Sequence, residues 1–478
     1  MNSLTARDAT TYWLSTRTRT DLFLLYAFTD TGANPTHLRS LVAARAANIP
    51  DLLVRVLDTP ANIAYPLWTP CEFTDAQFLD HPLADPTWAN LTAAVRELLA
   101  TAVRADDRPW RLHAFRGIRD APGFAPGEPA LILVLQVSHA LADGRHAATL
   151  ARTLFSDSEL PRVARDLSPW DRVAAVVGAK AAKAAGGHVA TAARSWISKT
   201  QPARAAALAL PGFPIALART AIRGFAAASA QRELADLTAT GQLPPPAPDV
   251  APTVLNGTGS APTAHVARIL LCPKARLHTP GHTVTVVALT AVSVALERHL
   301  SGSGTPIPEL RAQVPMAITT APDVRNSYRD LSIDLAVSEP NLQTRATRIA
   351  ADLATRRTRA DHPLQDAQAA VTAALPAPIL HRDVTTFPIT VLPERISGHT
   401  VLSSVNRGPA DFTFAGGRVH FTAGFPALGT VMHLTHGLHG LGDTLTLSIH
   451  ADPEVLPDID AYAALLDSAV DEVAAALR

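Results

Sequence analysis

Ser138-His139 and, after three intervening residues, Asp143-Gly144 are the part of this chain best equipped for chemistry. A neutral imidazole, with an unperturbed pKa of about 6.5, accepts a proton from a hydroxyl and passes it to a leaving group. Such general acid–base help is worth about a hundred- to ten-thousand-fold in rate. Gly144 lets the backbone come close to a ligand, and its N–H is a donor for a developing oxyanion. Ser138 is read as a residue that holds the end of the preceding strand by hydrogen bonding, with donation to a substrate as the alternative.

The elements around the motif place His139 where a catalytic side chain is useful. Leu131 to Val137 is an apolar run rich in β-formers, suited to a strand buried on both faces. His146 to Phe155 resumes a helical spacing at Ala147, Leu150, Ala151 and Leu154. A strand, a turn and a helix therefore fix His139 at a rigid mouth.

Other histidines carry weaker signals. His278 and His282 have the spacing of a helical metal pair, but Pro280-Gly281 lies between them, so no metal site is expected. His433, His436 and His439, with Asp443, form a glycine-interleaved cluster read as a solvated loop, with contact to substrate as the alternative. No Walker-type or Gly-x-Gly-x-x-Gly loop for nucleotide phosphates appears.

The 478 residues, 47% of them hydrophobic, suffice for two large subdomains. Lys+Arg and Asp+Glu balance at 42 each, which leaves no footprint for nucleic acid. Cys71 and Cys272 belong to no Cys/His cluster and are read as buried free thiols of a reducing compartment. The N-terminal stretch lacks a basic region followed by an apolar core, and a cytoplasmic location is expected.

In chain order, Leu4 to Ala9 reads as a short helix capped by Thr5, and Leu22 to Phe28 as a strand. Trp88 to Val103 reads as an amphipathic helix, and Thr283 to Leu300 as a central helix, apolar nearly all round. Gln313–Ile318, Leu331–Val337, Pro388–Leu392, Val401–Val405, Arg418–Phe421 and Leu445–His450 are strand candidates. Residues 165–235 are Ala-rich and helical, broken at Pro211-Gly212-Phe213-Pro214. Their basic residues (Lys180, Lys183, Arg194, Lys199, Arg204, Arg219, Arg223) admit two readings. One is a peripheral contact with an anionic membrane or lipid-droplet surface; the other is a connector packed on the protein. Gly241 to Pro252 is a proline-rich linker. The expected division is 1–160, a connector and linker at 161–250, and 251–478.

These motifs together resemble the bacterial wax ester synthase/diacylglycerol acyltransferase family, of the CoA-dependent acyltransferase superfamily. The opening Leu4-Thr5-Ala6-Arg7-Asp8-Ala9 is similar to the family's Leu-Ser-x-x-Asp-Ala. Pro66-Leu67-Trp68, Phe73 and Arg108-Pro109-Trp110 resemble its early motifs. His139-x-x-x-Asp143-Gly144 falls where the family has His-His-x-x-x-Asp-Gly. Leu255-Asn256-Gly257, Val314-Pro315, Asn326 and Ala451-Asp452-Pro453 with Pro457-Asp458 follow in the family's order.

The resemblance implies an α/β (α+β two-layer) fold. Two chloramphenicol acetyltransferase-like subdomains would form a pseudo-dimer with a tunnel between them. It implies transfer of a fatty acyl group from acyl-CoA, as substrate and with no cofactor, to a long-chain alcohol or diacylglycerol. His139 would be the general base and Gly144 its partner at the oxyanion, with no covalent acyl-enzyme. Asp143 would hold the loop through an arginine rather than orient His139, and Thr285 and Asn326 would contact substrate. Three departures stand out: Ser138 replaces the first histidine, Thr285-Val286 replaces an Asn-Asp pair, and Ser403-Ser404-Val405-Asn406-Arg407-Gly408-Pro409 loosens a Ser-Asn-Val-Pro-Gly-Pro. They keep two alternatives open: acylation of a specialised acceptor (a polyketide diol, glycolipid or carrier-bound substrate), and a non-catalytic lipid-binding or scaffold protein.

Overall fold

A computed structural model describes residues 2–156, 188–257, 259–302, 309–318 and 324–478, with the side chains of 188–212 excepted. The strands are Leu22–Thr29 (β1), Val54–Leu57 (β2), Leu67–Pro70 (β3), Phe78–Asp80 (β4), Trp110–Ile118 (β5), Ala130–Val137 (β6) and Val266–Pro273 (β7). Arg311–Ala317 (β8), Tyr328–Asp334 (β9), Thr400–Asn406 (β10), Thr413–Phe414 (β11), Gly417–Phe425 (β12), Leu434–Leu441 (β13) and Thr444–Ala451 (β14) complete them. The helices are Ala6–Ser15 (α1), Pro35–Ala46 (α2), Trp88–Leu99 (α3), Gly144–Phe155 (α4), His188–Ala239 (α5) and Lys274–Leu277 (α6). Val284–Gly302 (α7), Leu342–Ala360 (α8), Asp366–Ala374 (α9), Ala377–Thr386 (α10) and Ile459–Leu477 (α11) follow.

Two six-stranded mixed sheets carry the molecule, one ordered β11-β12-β1-β6-β5-β4 and the other β7-β14-β13-β10-β8-β9. This is the α/β, two-lobed architecture that the sequence implied. The lobes are not contiguous in sequence, however. β12 leaves the second half and pairs antiparallel with β1, so Phe425 lies opposite Phe23 in the first sheet.

β6 sits between β1 and β5, and all eight of its residues are buried, as the unbroken apolar run requires. Each fully buried Leu, Ile or Val there contributes about 1.5–3 kcal/mol by leaving water. α4 lays Ala147, Leu150, Ala151, Leu154 and Phe155 on the same core as β1 and β6. α7 is long and apolar enough to cross a membrane. Twelve of its residues are buried instead in the core of the second lobe, as its all-round apolar face predicts.

Several local expectations need correcting. Pro388–Leu392 is not a strand but a turn after α10, because Pro388 and Pro393 bracket it and cannot donate to a ladder. The glycine-interleaved histidines are not a solvated loop: they lie on and beside β13, with His433, His436 and His439 all buried. Glycine alternating with large residues hid the strand period. α5 runs through Pro211 and Pro214 without a break; proline removes amide donors and kinks a helix more readily than it ends one in an alanine-rich setting. Lys180 and Lys183 lie outside the described residues. Arg219 and Arg223 line a recess with Tyr65, Phe213, Ile222 and Leu375, and Ile222 and Phe225 are exposed beside them. Cys71 and Cys272 are free thiols, but only Cys272 is buried; Cys71 is partly exposed.

Candidate active site

His139 stands in the turn between β6 and α4, half-buried. The strand end is locked by backbone bonds: Ser138 N–H donates to Pro109 O (2.8 Å) and Leu141 N–H to Ser138 O (2.8 Å). The fully buried Ser138 hydroxyl accepts from Ala140 N–H at 3.3 Å. Ser138 therefore holds the turn.

Asp143 caps α4. Its Oδ1 accepts from Arg145 N–H (3.1 Å) and His146 N–H (2.9 Å), and its Oδ2 from Ser327 N–H (2.9 Å). That is a structural role, but the partners are backbone amides and not an arginine side chain. The arginine works elsewhere: Arg325 donates to Leu141 O (3.2 Å) inside the same turn and pairs with Asp51 at 2.8 Å. Its guanidinium lies 4.5 Å from the ring centre of Trp68. The Arg325 carbonyl accepts from Asp143 N–H at 3.2 Å. Arg325 thus ties the loop before β9 to the turn after β6.

Asn326 does more than the sequence indicated. Its Oδ1 is 2.7 Å from His139 Nδ1, while its Nδ2 donates to His139 O (2.9 Å) and to Asp8 Oδ1 (3.1 Å). Both acceptors of the amide NH2 lack protons, so the amide orientation is fixed and its oxygen must face the ring. His139 Nδ1 therefore carries the proton, which leaves Nε2 with its lone pair and, among the described residues, with no protein partner. Asp8 anchors the amide, because it also accepts from Asn326 N–H (3.1 Å), Arg325 N–H (3.3 Å) and the Thr5 hydroxyl (2.8 Å). The amide's two donors are spent on the protein, so Asn326 orients the imidazole rather than reaching for substrate.

Burial lowers the pKa of His139, opposed by its hydrogen bonds and by the charges of Asp143 and Asp330. Asp330 is solvent-accessible, yet the surrounding protein pushes its carboxyl pKa up against the pull of His139 and Arg7. The Tyr328 ring is 5.7 Å from the His139 ring, with Arg7 on its other contacts. Burial pushes the Tyr328 phenol pKa up to about 12, so it stays protonated.

Gly144 is the first helical residue of α4, and its N–H has no acceptor among the described residues. A Cβ there would meet only Val405 Cγ2, at 3.8 Å, so packing against protein does not demand glycine. Thr285, half-buried on α7, shares a hydrogen bond with Ser404 of β10 (3.1 Å). Val286 beside it is buried.

The sequence missed Asp8, Arg325, Tyr328 and Asp330. Asp8 lay within a quoted motif but read only as part of a helix. The others adjoin Asn326 and carry no periodic signal.

The two six-stranded sheets, the first completed by β12 from late in the chain, form a fold shared with solved acyltransferase and condensation-domain structures. No protein-family model matches the chain, and no curated protein matches it. Among solved structures, the wax ester synthase/diacylglycerol acyltransferase of Marinobacter aquaeolei VT8 superposes with a TM-score of 0.59 at 16% identity, covering 99% of this chain and 98% of that one. The starter condensation domain of rhizomide synthetase, an arginine-to-alanine variant in complex with C8-CoA, gives 0.56 at 11% identity over 99% and 94%. The first condensation domain of the calcium-dependent antibiotic synthetase, in complex with a substrate analogue, gives 0.55 at 14% over 100% and 97%. The shared architecture extends over at least 94% of each chain.

Proposed function

We propose that this protein is an acyl-CoA-dependent O-acyltransferase with His139 as its general base. The observation that carries the proposal is the Asp8–Asn326–His139 chain of hydrogen bonds, which leaves Nε2 free as a base at the mouth of β6. An acceptor hydroxyl bound there gives its proton to Nε2 as its oxygen attacks the thioester carbonyl. The C–S bond then breaks, and the CoA thiolate leaves with the proton that His139 returns. The Gly144 N–H, at the positive end of α4, is suited to the oxyanion that forms between these steps. Substrates would meet in a channel between the lobes. The acyl-CoA bound to a condensation domain of the same fold supports the donor.

The acceptor is a lipid hydroxyl, either a long-chain alcohol or a diacylglycerol. A more specialised acceptor is favoured by one observation: Thr285 is engaged by Ser404 and Val286 is buried, so this wall offers less polar chemistry than the family's Asn-Asp pair. The test follows thiol release from palmitoyl-CoA with hexadecanol, with a diacylglycerol and with no acceptor. Release that depends on an acceptor supports the proposal. Acyl-CoA binding without release under any of these conditions favours the non-catalytic lipid binder.

A further inference from the structure

Where the two sheets meet, the fold buries a positive charge that the described protein does not neutralise. Arg407, directly after β10, is 7% exposed. Its guanidinium donates to the Thr422 hydroxyl and lies 5.2 Å from the ring centre of Tyr26, and its Nε has no hydrogen-bond partner. Burial, and then the Arg407 charge, hold the neighbouring His439 imidazole well below its usual pKa. His439 is 4% exposed with Nδ1 unpartnered, and Tyr26 is 1% exposed.

The surrounding strands are shaped to admit these groups. A Cβ at Gly424 would come within 2.7 Å of Arg407 Nη2 and 2.8 Å of His439 Nε2. One at Gly437 would come within 2.5 Å of the His439 ring. Burying a cation with no partner costs stability, and apolar residues of similar size usually do better. A guanidinium with unused donors, bordering the same point beside Gly424 as the His439 imidazole and lying against the Tyr26 ring, matches a planar, doubly accepting anion.

We propose that Arg407, Tyr26 and His439 form a subsite for a carboxylate at the far end of a substrate. Val405 is the side chain nearest Gly144, and Arg407 follows it by two residues, about 7 Å of extended chain. A carboxylate held at Arg407 thus belongs to a molecule that extends toward the turn carrying His139. Assigning that molecule as acyl donor or acceptor rests on the acyl-transfer reading; the subsite itself does not.

The test uses the full chain and the probe octanedioate, with 1,8-octanediol as its uncharged match, read by thermal melting. Octanedioate raises the melting temperature of the wild type and not of Arg407→Met, and the diol raises neither. Arg407→Met alone melts at or above the wild type, because an unpaired buried charge has gone; Arg407→Lys keeps the charge and part of the octanedioate shift. No shift with octanedioate, a shift that Arg407→Met keeps, or an Arg407→Met protein that melts well below wild type overturns the subsite. Two matched pairs then find the carrier: hexadecanol against 16-hydroxyhexadecanoate as acceptors, and octanoyl-CoA against its ω-carboxylated form as donors. In one pair kcat/KM favours the carboxylated member at least tenfold, and Arg407→Met removes the preference. A preference in neither pair overturns the link to substrate. Absence of thiol release from any donor counts against acyl transfer and leaves the melting result to decide the subsite.

Discussion

Replacing Asn326 by alanine separates the orientation of His139 from its chemistry. The substitution removes three hydrogen bonds: His139 Nδ1–H to Oδ1 (2.7 Å), and Nδ2 to His139 O (2.9 Å) and to Asp8 Oδ1 (3.1 Å). Neutral bonds contribute about 0.5–1.5 kcal/mol and one to a carboxylate somewhat more. Asp8 keeps its bonds to Arg325 N–H, Asn326 N–H and Thr5, so it is not stranded. The expected loss of stability is about 2–4 kcal/mol. Losing the acceptor at Nδ1 frees the ring to rotate and lets its proton move to Nε2. If the lost bond held the productive state by about 1.4–2.7 kcal/mol, kcat falls about ten- to a hundredfold. KM for acyl-CoA changes little, because the Asn326 amide donors already bond to protein. The assay is thiol release under saturating donor and acceptor, with urea melts alongside. Asn326→Asp gives the opposing control: a carboxylate against Nδ1 raises the His139 pKa that burial lowers, so the acid limb of the pH–rate profile moves up. An alanine variant that is folded and within threefold of wild-type kcat, or one that raises KM alone, would refute this reasoning.

Two further predictions concern the scaffold. Asp143→Ala removes the cap bonds to Arg145 and His146 and the bond to Ser327, and should cost about 2–3 kcal/mol in denaturant melts. Its activity should fall less than that of a His139 variant; wild-type melting with activity abolished would instead put Asp143 in the chemistry. Asp21 is buried and its pKa rises from 3.8 to about 6, chiefly by desolvation. The folded state therefore binds this proton more tightly, and the stability it contributes at acid pH is lost as pH rises through about 6. Val103 N–H and Gln136 Nε2 both donate to the same Asp21 oxygen, so an asparagine oxygen can accept both. Asp21→Asn should add about 1–3 kcal/mol at pH 7.5 and little at pH 4, as urea melts at the two pH values will show. Equal effects at both would contradict it.

Much of this was readable in the chain because local physics agreed with the fold. The run Leu131–Val137 could be buried on both faces only as a central strand, and the apolar face of 146–155 needed a core to cover it. His139, Asp143 and Gly144 are neighbours in sequence, so their turn was legible. The exchange of β12 into the first sheet was not, because strand partners far apart in sequence leave no mark on local periodicity. Asn326 was legible as a position and not as a role. Its partners Asp8 and His139 stand 318 and 187 residues away, and only the fold brings them together. The uncompensated charge of Arg407 was invisible for the same reason, since pairing is a property of space.

The central claim is that His139 Nε2 takes the acceptor's proton, and His139→Ala tests it most directly. With acyl-CoA binding measured separately and a wild-type melting profile, acceptor-dependent thiol release should fall by a hundred- to ten-thousand-fold or about that. A variant that binds acyl-CoA, stays folded and transfers at the wild-type rate would contradict the account.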